Sequence, residues 1–216
     1  MAISLIIFDM DGVLVNSEPA ITKACMQSLA EVGVNAEYDD FKPFTGMGDD
    51  KFLSGVCEKY GAAYDPAMKA RAYEIYLKRA HEWVEVFAWS KPLLTALHAA
   101  GYKLAVASAS DLIKVACNLH QIGIDTGIFS AIVTGSDVTR KKPAPDIFLK
   151  AAERAGGEPA RSLVVEDALS GIMAAKSAGM TALGVTTSFD ALTLKNAGAD
   201  YVADDLSDLI DIVKTI

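Results

Sequence analysis

Two aspartates, separated by one residue, directly follow a short apolar segment near the start of the printed sequence. The apolar segment is Ile3–Phe8, and the aspartates are Asp9 and Asp11, with Gly12 next in the chain. The run predicts a strand buried on both faces, where neighbouring carboxylates repel each other unless a cation offsets their charge. With a divalent cation bound, one carboxylate could attack an electrophile while the other transfers a proton. A solvated turn at the end of a strand is the alternative that these residues, taken alone, leave open.

Three later segments carry the groups that such a site would need for phosphoryl transfer. Ser108 follows a second apolar run and offers a hydroxyl, while the helix expected after it offers backbone N–H groups to phosphate oxygens. Lys142 offers a cation just before a proline-rich approach to a helix, and Glu166 and Asp167 offer carboxylates after a third apolar run. Each group also has a structural alternative: a helix cap, a solvated loop cation, or acids favoured at a helix start. Ser110 is the better helix cap by position, which leaves Ser108 for phosphate.

The elements that must position these groups alternate between short strands and helices from about residue 101 onward. The predicted strands, after a first strand over residues 3–8, are Lys103–Ala107, Ala131–Val133, Leu163–Val165, Thr181–Val185 and Tyr201–Val202. The predicted helices are Leu112–Gln121, Pro145–Ala155, Ala168–Ala178, Asp190–Ala197 and Leu206–Lys214. Strands separated by helices indicate βαβ units and one parallel sheet. Ligands of such sheets bind at the carboxyl ends of the strands, where all the polar groups described above fall.

Residues 16–87 have a different pattern, with helical periodicity and no convincing strand. The predicted helices in this segment are Glu18–Val32, Asp50–Tyr60 and Ala67–Glu82. A helical insertion after the first strand could form a lid over the strand ends, with hinges near residues 14–17 and 86–90. The alternative is that these helices simply pack against the sheet.

Composition limits the classes of protein that this chain can represent. The 216 residues are 51% hydrophobic and 22% charged, as in an ordinary globular protein. A net charge of −8 argues against nucleic acid or an anionic membrane surface as a partner. Three cysteines in no ligand pattern, Cys25, Cys57 and Cys117, are expected to be free thiols in a reducing cytoplasm. The first apolar run is too short for a signal peptide or a membrane span.

Taken in order, the four polar segments resemble the four motifs of the haloacid dehalogenase superfamily. The resemblance covers the whole chain and is greatest to β-phosphoglucomutase-like phosphatases, which carry a helical cap after the first motif. It implies an α/β fold with a Rossmann-like parallel sheet flanked by helices, formed by residues 1–15 and 88–216. Residues 16–87 would form the all-helical cap domain.

The resemblance also implies an activity, which is Mg²⁺-dependent hydrolysis of a small phosphorylated metabolite through an aspartyl-phosphate. Asp9 would be the nucleophile and Asp11 the general acid and base. Mg²⁺ would be held by Asp9, by the backbone carbonyl of Asp11 and by Asp167, with Glu166 behind these ligands or as an alternate ligand. The residues expected to contact the phosphate are Ser108, Ala109 and Lys142. We expect a monomer or a weak homodimer.

Two departures from the family pattern concern the choice between a phosphatase and a phosphomutase. β-Phosphoglucomutases use a histidine shortly after the first motif and an arginine in the cap that grips a second phosphate. Here Ile21 and Asp49 stand at those positions. An acidic residue at the arginine position should repel a second phosphate. The sequence therefore favours a hydrolase, with a phosphomutase and a non-catalytic phosphate-binding protein as alternatives.

Overall fold

The structure is a computed structural model that describes residues 2–216, so residue 1 of the predicted core domain lies outside it. Its strands are β1 (Leu5–Phe8), β2 (Val15–Asn16), β3 (Glu85–Val86), β4 (Lys103–Ala107), β5 (Phe129–Val133), β6 (Ser162–Glu166), β7 (Thr181–Val185) and β8 (Tyr201–Ala203). Six of these strands form one sheet in the order β5-β4-β1-β6-β7-β8, and every pair in it is parallel. The strand β1 lies at the centre because all four of its side chains are apolar and fully buried.

Helices cover both faces of this sheet. The helices of the described residues are α1 (Glu18–Ala30), α2 (Asp49–Lys59), α3 (Pro66–Trp83), α4 (Ser90–Ala99), α5 (Leu112–Ile122), α6 (Asp146–Ala155), α7 (Leu169–Ser177), α8 (Ala191–Asn196) and α9 (Leu209–Thr215), and six of them lie on the sheet. The apolar sides of α4, α5 and α9 pack on one face of the sheet, and those of α6, α7 and α8 pack on the other. The predicted α/β fold, with a parallel sheet flanked by helices, is confirmed. None of the helices in residues 2–216 combines the length and the apolar composition that a membrane span requires.

The three helices α1, α2 and α3 pack against one another around an apolar cluster of their own. Fully buried members of this cluster include Leu29, Leu53 and Tyr76, which come one from each helix. The helices α1 and α3 make the most extensive contact between any two helices of the described chain. This three-helix unit, called the cap, is the segment predicted to form the cap domain.

A short antiparallel ribbon joins the cap to the sheet. The strands β2 and β3 pair through Val15 with Val86 and through Asn16 with Glu85. Next to it, the Trp89 indole N–H donates to the Val13 carbonyl at 3.0 Å. These strands were not predictable from the sequence, because two residues are too few to show an alternating pattern. They lie where the two hinges were predicted.

Candidate active site

The carboxyl ends of three neighbouring strands carry the candidate site. Asp9 directly follows β1, Ser108 directly follows β4, and Glu166 ends β6 with Asp167 next in the chain. Lys142 reaches the same place from the loop between β5 and α6. Because β1 lies between β4 and β6, residues far apart in sequence meet at one edge of the sheet.

Lys142 joins two of the carboxylates. Its Nζ donates to Asp9 Oδ1 at 2.6 Å and to Glu166 Oε1 at 2.5 Å, and the ammonium is almost completely buried. Although burial disfavours its charge, Asp9 and Glu166 hold the pKa of Lys142 above its ordinary value. The other Glu166 oxygen accepts the backbone N–H groups of Asp167 at 2.9 Å and Ala168 at 2.8 Å. Glu166 therefore fixes Lys142 against Asp9, and its oxygens are already engaged by protein groups.

The carboxylates of Asp9, Glu166 and Asp167 form a buried cluster with the spacing of a metal site. One oxygen from each lies within 4.8 Å of the others. Burial raises the pKa of Asp9 to about 7, although Lys142 beside it opposes the rise. Burial, together with Glu166 and Asp9, also raises the pKa of Asp167 well above its ordinary value. Such excess negative charge in a buried oxygen cluster is suited to a hard divalent cation.

Two glycines leave room for these carboxylates. Gly12 has a φ of +80°, and a Cβ on it would lie 1.9 Å from Asp167 Oδ2. A Cβ on Gly171, in the first turn of α7, would lie 1.8 Å from Glu166 Oε1. Both positions therefore require the absence of a side chain, and Gly12 also needs the left-handed conformation.

The carboxylate of Asp11 is surrounded by donors. Ser17 Oγ and Asn118 Nδ2 donate to Oδ1, the latter at 3.2 Å, while Ser110 Oγ donates to Oδ2 at 3.0 Å. Lys114 Nζ lies 3.2 Å from Oδ1. Burial alone would raise the pKa of Asp11, but Lys114, Ser17 and Ser110 outweigh it and hold the pKa below its ordinary value. Asp9 and Asp11 thus lie in different electrostatic environments, one dominated by burial and the other by hydrogen-bond donors and a cation.

The predicted phosphate ligands Ser108 and Ala109 lie beside this group. Ser108 is fully buried, and its hydroxyl accepts the Ser110 N–H at 3.2 Å and donates to Asp11 Oδ2 at 3.4 Å. Ser110 was predicted to cap α5, and this prediction is wrong. Asp111 occupies the cap position and its side chain makes no capping bond, while the Ser110 hydroxyl is held by Asp11.

A small, partly open cavity connects these groups with the underside of the cap. Its volume is about 60 Å³. Asp9, Lys142 and Asp167 line its sheet side, as do Ala109 and Ser110. The cap contributes an apolar wall, formed by Ile21, Phe44 and Phe52. It also contributes two acids, Glu18 and Asp49.

The sequence model of haloacid dehalogenase-like hydrolases matches residues 6–185, which include every group described above. The chain belongs to the haloacid dehalogenase-like hydrolase family. The predicted superfamily is therefore confirmed. Within this family, a phosphoglycolate phosphatase from Vibrio cholerae serotype O1 is 29% identical over 98% of the chain and 97% of its own length. The prediction of a phosphoric monoester hydrolase is confirmed at the level of the family and its curated relatives.

Two further relatives of this haloacid dehalogenase-like hydrolase extend the comparison. The Arabidopsis thaliana protein named SUPPRESSOR OF QUENCHING 1, chloroplastic, is 41% identical over 96% of the chain, which spans only 20% of the length of that protein. The crystal structure of CbbY from Rhodobacter sphaeroides in complex with phosphate has a TM-score of 0.85 at 26% identity and covers 96% of both chains. The fold, including the cap, is therefore shared with a phosphate-binding relative.

Two residues of this hydrolase that contact Asp11 were not predicted from the sequence. Lys114 and Asn118 lie on α5 and are almost completely buried. The available signal was their spacing, because Lys114 and Asn118 fall on the same side of the helix as the apolar residues Val115, Leu119 and Ile122. Because a lysine in a helix is normally expected to be solvated, this spacing alone did not indicate that Lys114 is buried.

Proposed function

We propose that this protein hydrolyses a small phosphomonoester through an aspartyl-phosphate on Asp9. The observation that carries the proposal is the Asp9 carboxylate, held by Lys142 at 2.6 Å at the edge of a cavity that lies between the sheet and the cap. In the first step an Asp9 oxygen would bond to phosphorus while the bond from phosphorus to the leaving oxygen breaks. In the second step water would attack the same phosphorus and release inorganic phosphate, which restores Asp9.

Asp11 is assigned to both proton transfers. Because its neighbours hold Asp11 ionised at rest, it would take a proton from a singly protonated phosphomonoester, pass it to the leaving oxygen, and later accept a proton from the attacking water. Its donors fix the carboxylate on the sheet side of the cavity, which Asp11 lines together with Asp9. Lys142 and the groups around Ser108 and Ala109 would bind the phosphoryl oxygens.

Mg²⁺ is the proposed cofactor, and the donor set fits it. Asp9 and Asp167 supply carboxylate oxygens, and the Asp11 carbonyl accepts no hydrogen bond from any of the described residues. We assign Glu166 to supporting Lys142 instead, because its oxygens are engaged there. When bound, Mg²⁺ would neutralise charge on the phosphoryl oxygens and so favour attack. Activity should disappear in excess chelator, return with Mg²⁺, and fall when Ca²⁺ competes, since Ca²⁺ prefers a looser and larger coordination.

The division into domains is part of this proposal. Residues 1–15 and 88–216 would form the core, and residues 16–87 would form a cap that opens and closes about the ribbon of β2 and β3. The separate apolar cluster of the cap and the ribbon that joins it to the sheet support this division. A closed cap would exclude bulk water during attack on phosphorus.

The size and lining of the cavity support a small substrate and a hydrolytic outcome. A volume of about 60 Å³ corresponds to roughly two water molecules, which suits a phosphoryl group, and the open side of the cavity leaves space for a small leaving group. Asp49 lines the cavity where a mutase would need a cation for a second phosphate. Lys114 is the cation nearest to Asp49, and Asp11 already shares it.

The test is a comparison of products and a trapped intermediate. Wild-type protein with Mg²⁺ should release inorganic phosphate from a small phosphomonoester, and Asp9→Asn should abolish this release while leaving the circular dichroism spectrum unchanged. Acid quenching during turnover should capture phosphate bound to wild-type protein and none bound to Asp9→Asn. Efficient conversion of β-glucose 1-phosphate to glucose 6-phosphate with little phosphate release would instead establish the phosphomutase alternative. Undiminished turnover by Asp9→Asn would exclude the covalent mechanism.

A further inference from the structure

Lys114 is a buried cation that contacts the sheet core and the cap at once. It lies near the start of α5, and only 3% of its side chain is exposed. Its Nζ lies 3.2 Å from Asp11 Oδ1 and donates to Ser110 Oγ at 3.0 Å. The same Nζ lies 3.7 Å from Oδ1 of Asp49, the first residue of α2 in the cap. One ammonium therefore connects the proposed general acid with the cap.

The cap side of this connection is held firmly. Tyr73 in α3 donates its hydroxyl proton to Asp49 Oδ2 at 2.6 Å, and both residues are buried. A second link runs in parallel, because the Tyr76 hydroxyl donates to Asn118 Oδ1 at 2.5 Å and Asn118 Nδ2 donates to Asp11. The position of the Asp11 carboxylate is thus tied at two points to residues that the cap supplies.

Lys114 borders the cavity, but its ammonium is already engaged by protein groups. The ammonium of Lys114 forms ion pairs with the carboxylates of Asp11 and Asp49, and it donates a hydrogen bond to the Ser110 hydroxyl. A buried ammonium is costly without carboxylate partners. The cap position in which Asp49 contacts Lys114 is therefore favoured over a position in which this contact is absent. The contacts of Lys114 are suited to holding a neighbouring side chain in place.

We infer that Lys114 is a positioning residue that aligns Asp11 with the leaving oxygen when the cap brings Asp49 into contact. This inference rests on the proposed function, because it assumes that Asp11 protonates the leaving group. It assigns to a core helix a residue that neither the four motifs nor the cap pattern identified. Loss of Lys114 should therefore affect proton donation to the leaving group more than attack on phosphorus.

The experiment compares two leaving groups under single-turnover conditions, with enzyme in excess and Mg²⁺ present. Release of glycerol from glycerol 2-phosphate needs a proton, whereas release of 4-nitrophenolate from 4-nitrophenyl phosphate does not. With Lys114→Met, glycerol 2-phosphate (the alkyl ester) should react about 100-fold more slowly than with wild type. The reaction of 4-nitrophenyl phosphate (the aryl ester) should slow by less than about 10-fold. Lys114→Arg, which retains a cation, should recover part of the loss with the alkyl ester.

A matched control is available at another contact between cap and core. Lys69 in the cap pairs with Asp111 at 2.9 Å but does not touch Asp11. Lys69→Met should weaken this contact and slow both esters by the same factor. If Lys114→Met proves unfolded in a thermal melt, Asp49→Asn provides the second variant, and it should also slow the alkyl ester more than the aryl ester.

The outcomes separate the two proposals. If folded Lys114→Met loses activity equally with both esters, the positioning role is overturned and the proposed phosphatase stays intact. If Lys114→Met is unfolded, an equal loss with both esters in Asp49→Asn has the same meaning. Absence of turnover of either ester by the wild type would overturn the proposed function, and the inference with it.

Discussion

Substitution of Gly171 by alanine should disable the site without touching the substrate. The new Cβ would lie 1.8 Å from Glu166 Oε1 and 2.0 Å from Cδ, so rotation of the carboxylate alone cannot relieve the overlap. The Oε1 atom must move by about 1.6 Å, the difference between 1.8 Å and an ordinary contact of 3.4 Å. Glu166 is only 1% exposed, and its carboxylate is held by Lys142 and by two backbone N–H groups, so any movement breaks existing bonds.

The cost follows from the bonds that Glu166 makes. Its displacement would weaken the contact with Lys142 at 2.5 Å and the two backbone N–H bonds at 2.9 and 2.8 Å. A hydrogen bond to a charged group contributes about 1.5–3 kcal/mol, whereas alanine in place of glycine stabilises a helix by about 1 kcal/mol. We expect a net loss of about 2–3 kcal/mol in the free energy of unfolding, or roughly 5–10 °C in Tm. Because Lys142 would no longer be fixed against Asp9, kcat/KM should fall about 100-fold.

Thermal melts and phosphate-release assays of Gly171→Ala measure these two effects. Ser177→Ala is the matched control, because it places an alanine at an exposed position of the same helix. The control should change Tm by less than about 2 °C and leave kcat/KM within twofold of wild type. Wild-type values of both quantities in Gly171→Ala would refute the claim that Glu166 must occupy its present position.

Further predictions concern the metal, the hinge and an ion pair remote from the site. Mg²⁺ should raise the free energy of unfolding by about 2.7 kcal/mol at 100 times its Kd, as measured by thermal melts with and without chelator. Asp167→Asn should remove most of this gain, and an equal gain in the variant would contradict the assignment of Asp167 as a ligand. Trp89→Phe removes the bond to the Val13 carbonyl and should lower stability to urea by about 1 kcal/mol, whereas an unchanged urea midpoint would show that this bond does not contribute. The hydrogen bond from Arg154 holds the pKa of Asp137 at about 2, below the unfolded value near 4, so this contribution is present above pH 4 and is lost as the pH falls towards 2. Asp137→Asn should therefore be about 1 kcal/mol less stable than wild type at pH 7, after allowance for its exposure to solvent, with a gap that closes below pH 3; a gap independent of pH would refute this assignment.

The sheet was largely predictable from the sequence because its strands are buried on both faces. The strands β4 and β7 have the predicted bounds, Lys103–Ala107 and Thr181–Val185, since in each a polar first residue is followed by four buried residues without polar side chains. The ribbon of β2 and β3 was not predictable, because its pairing is a tertiary contact between residues some seventy positions apart.

The same contrast applies to the candidate site. Asp9, Lys142 and Asp167 were predictable because each comes at a strand end or loop that the fold must place at one edge of the sheet. Lys114 was not, because its burial depends on two carboxylates supplied by distant segments. The Ser110 prediction failed for a related reason, since a nearby carboxylate competed with the backbone for its hydroxyl.

The central position of β1 has a consequence for how the chain acquires its site during synthesis. Leu5 pairs with Lys103 on one side and with Ser162 on the other, so β1 has no sheet partner until distant parts of the chain have been made. A nascent chain therefore carries an apolar strand with two open edges, the kind of segment that aggregates or recruits chaperones. Asp167 follows the last of these partners, so the carboxylate cluster is complete only after both edges of β1 are covered. Metal binding should accordingly be a late event in folding, one that reports a finished core and does not guide its assembly.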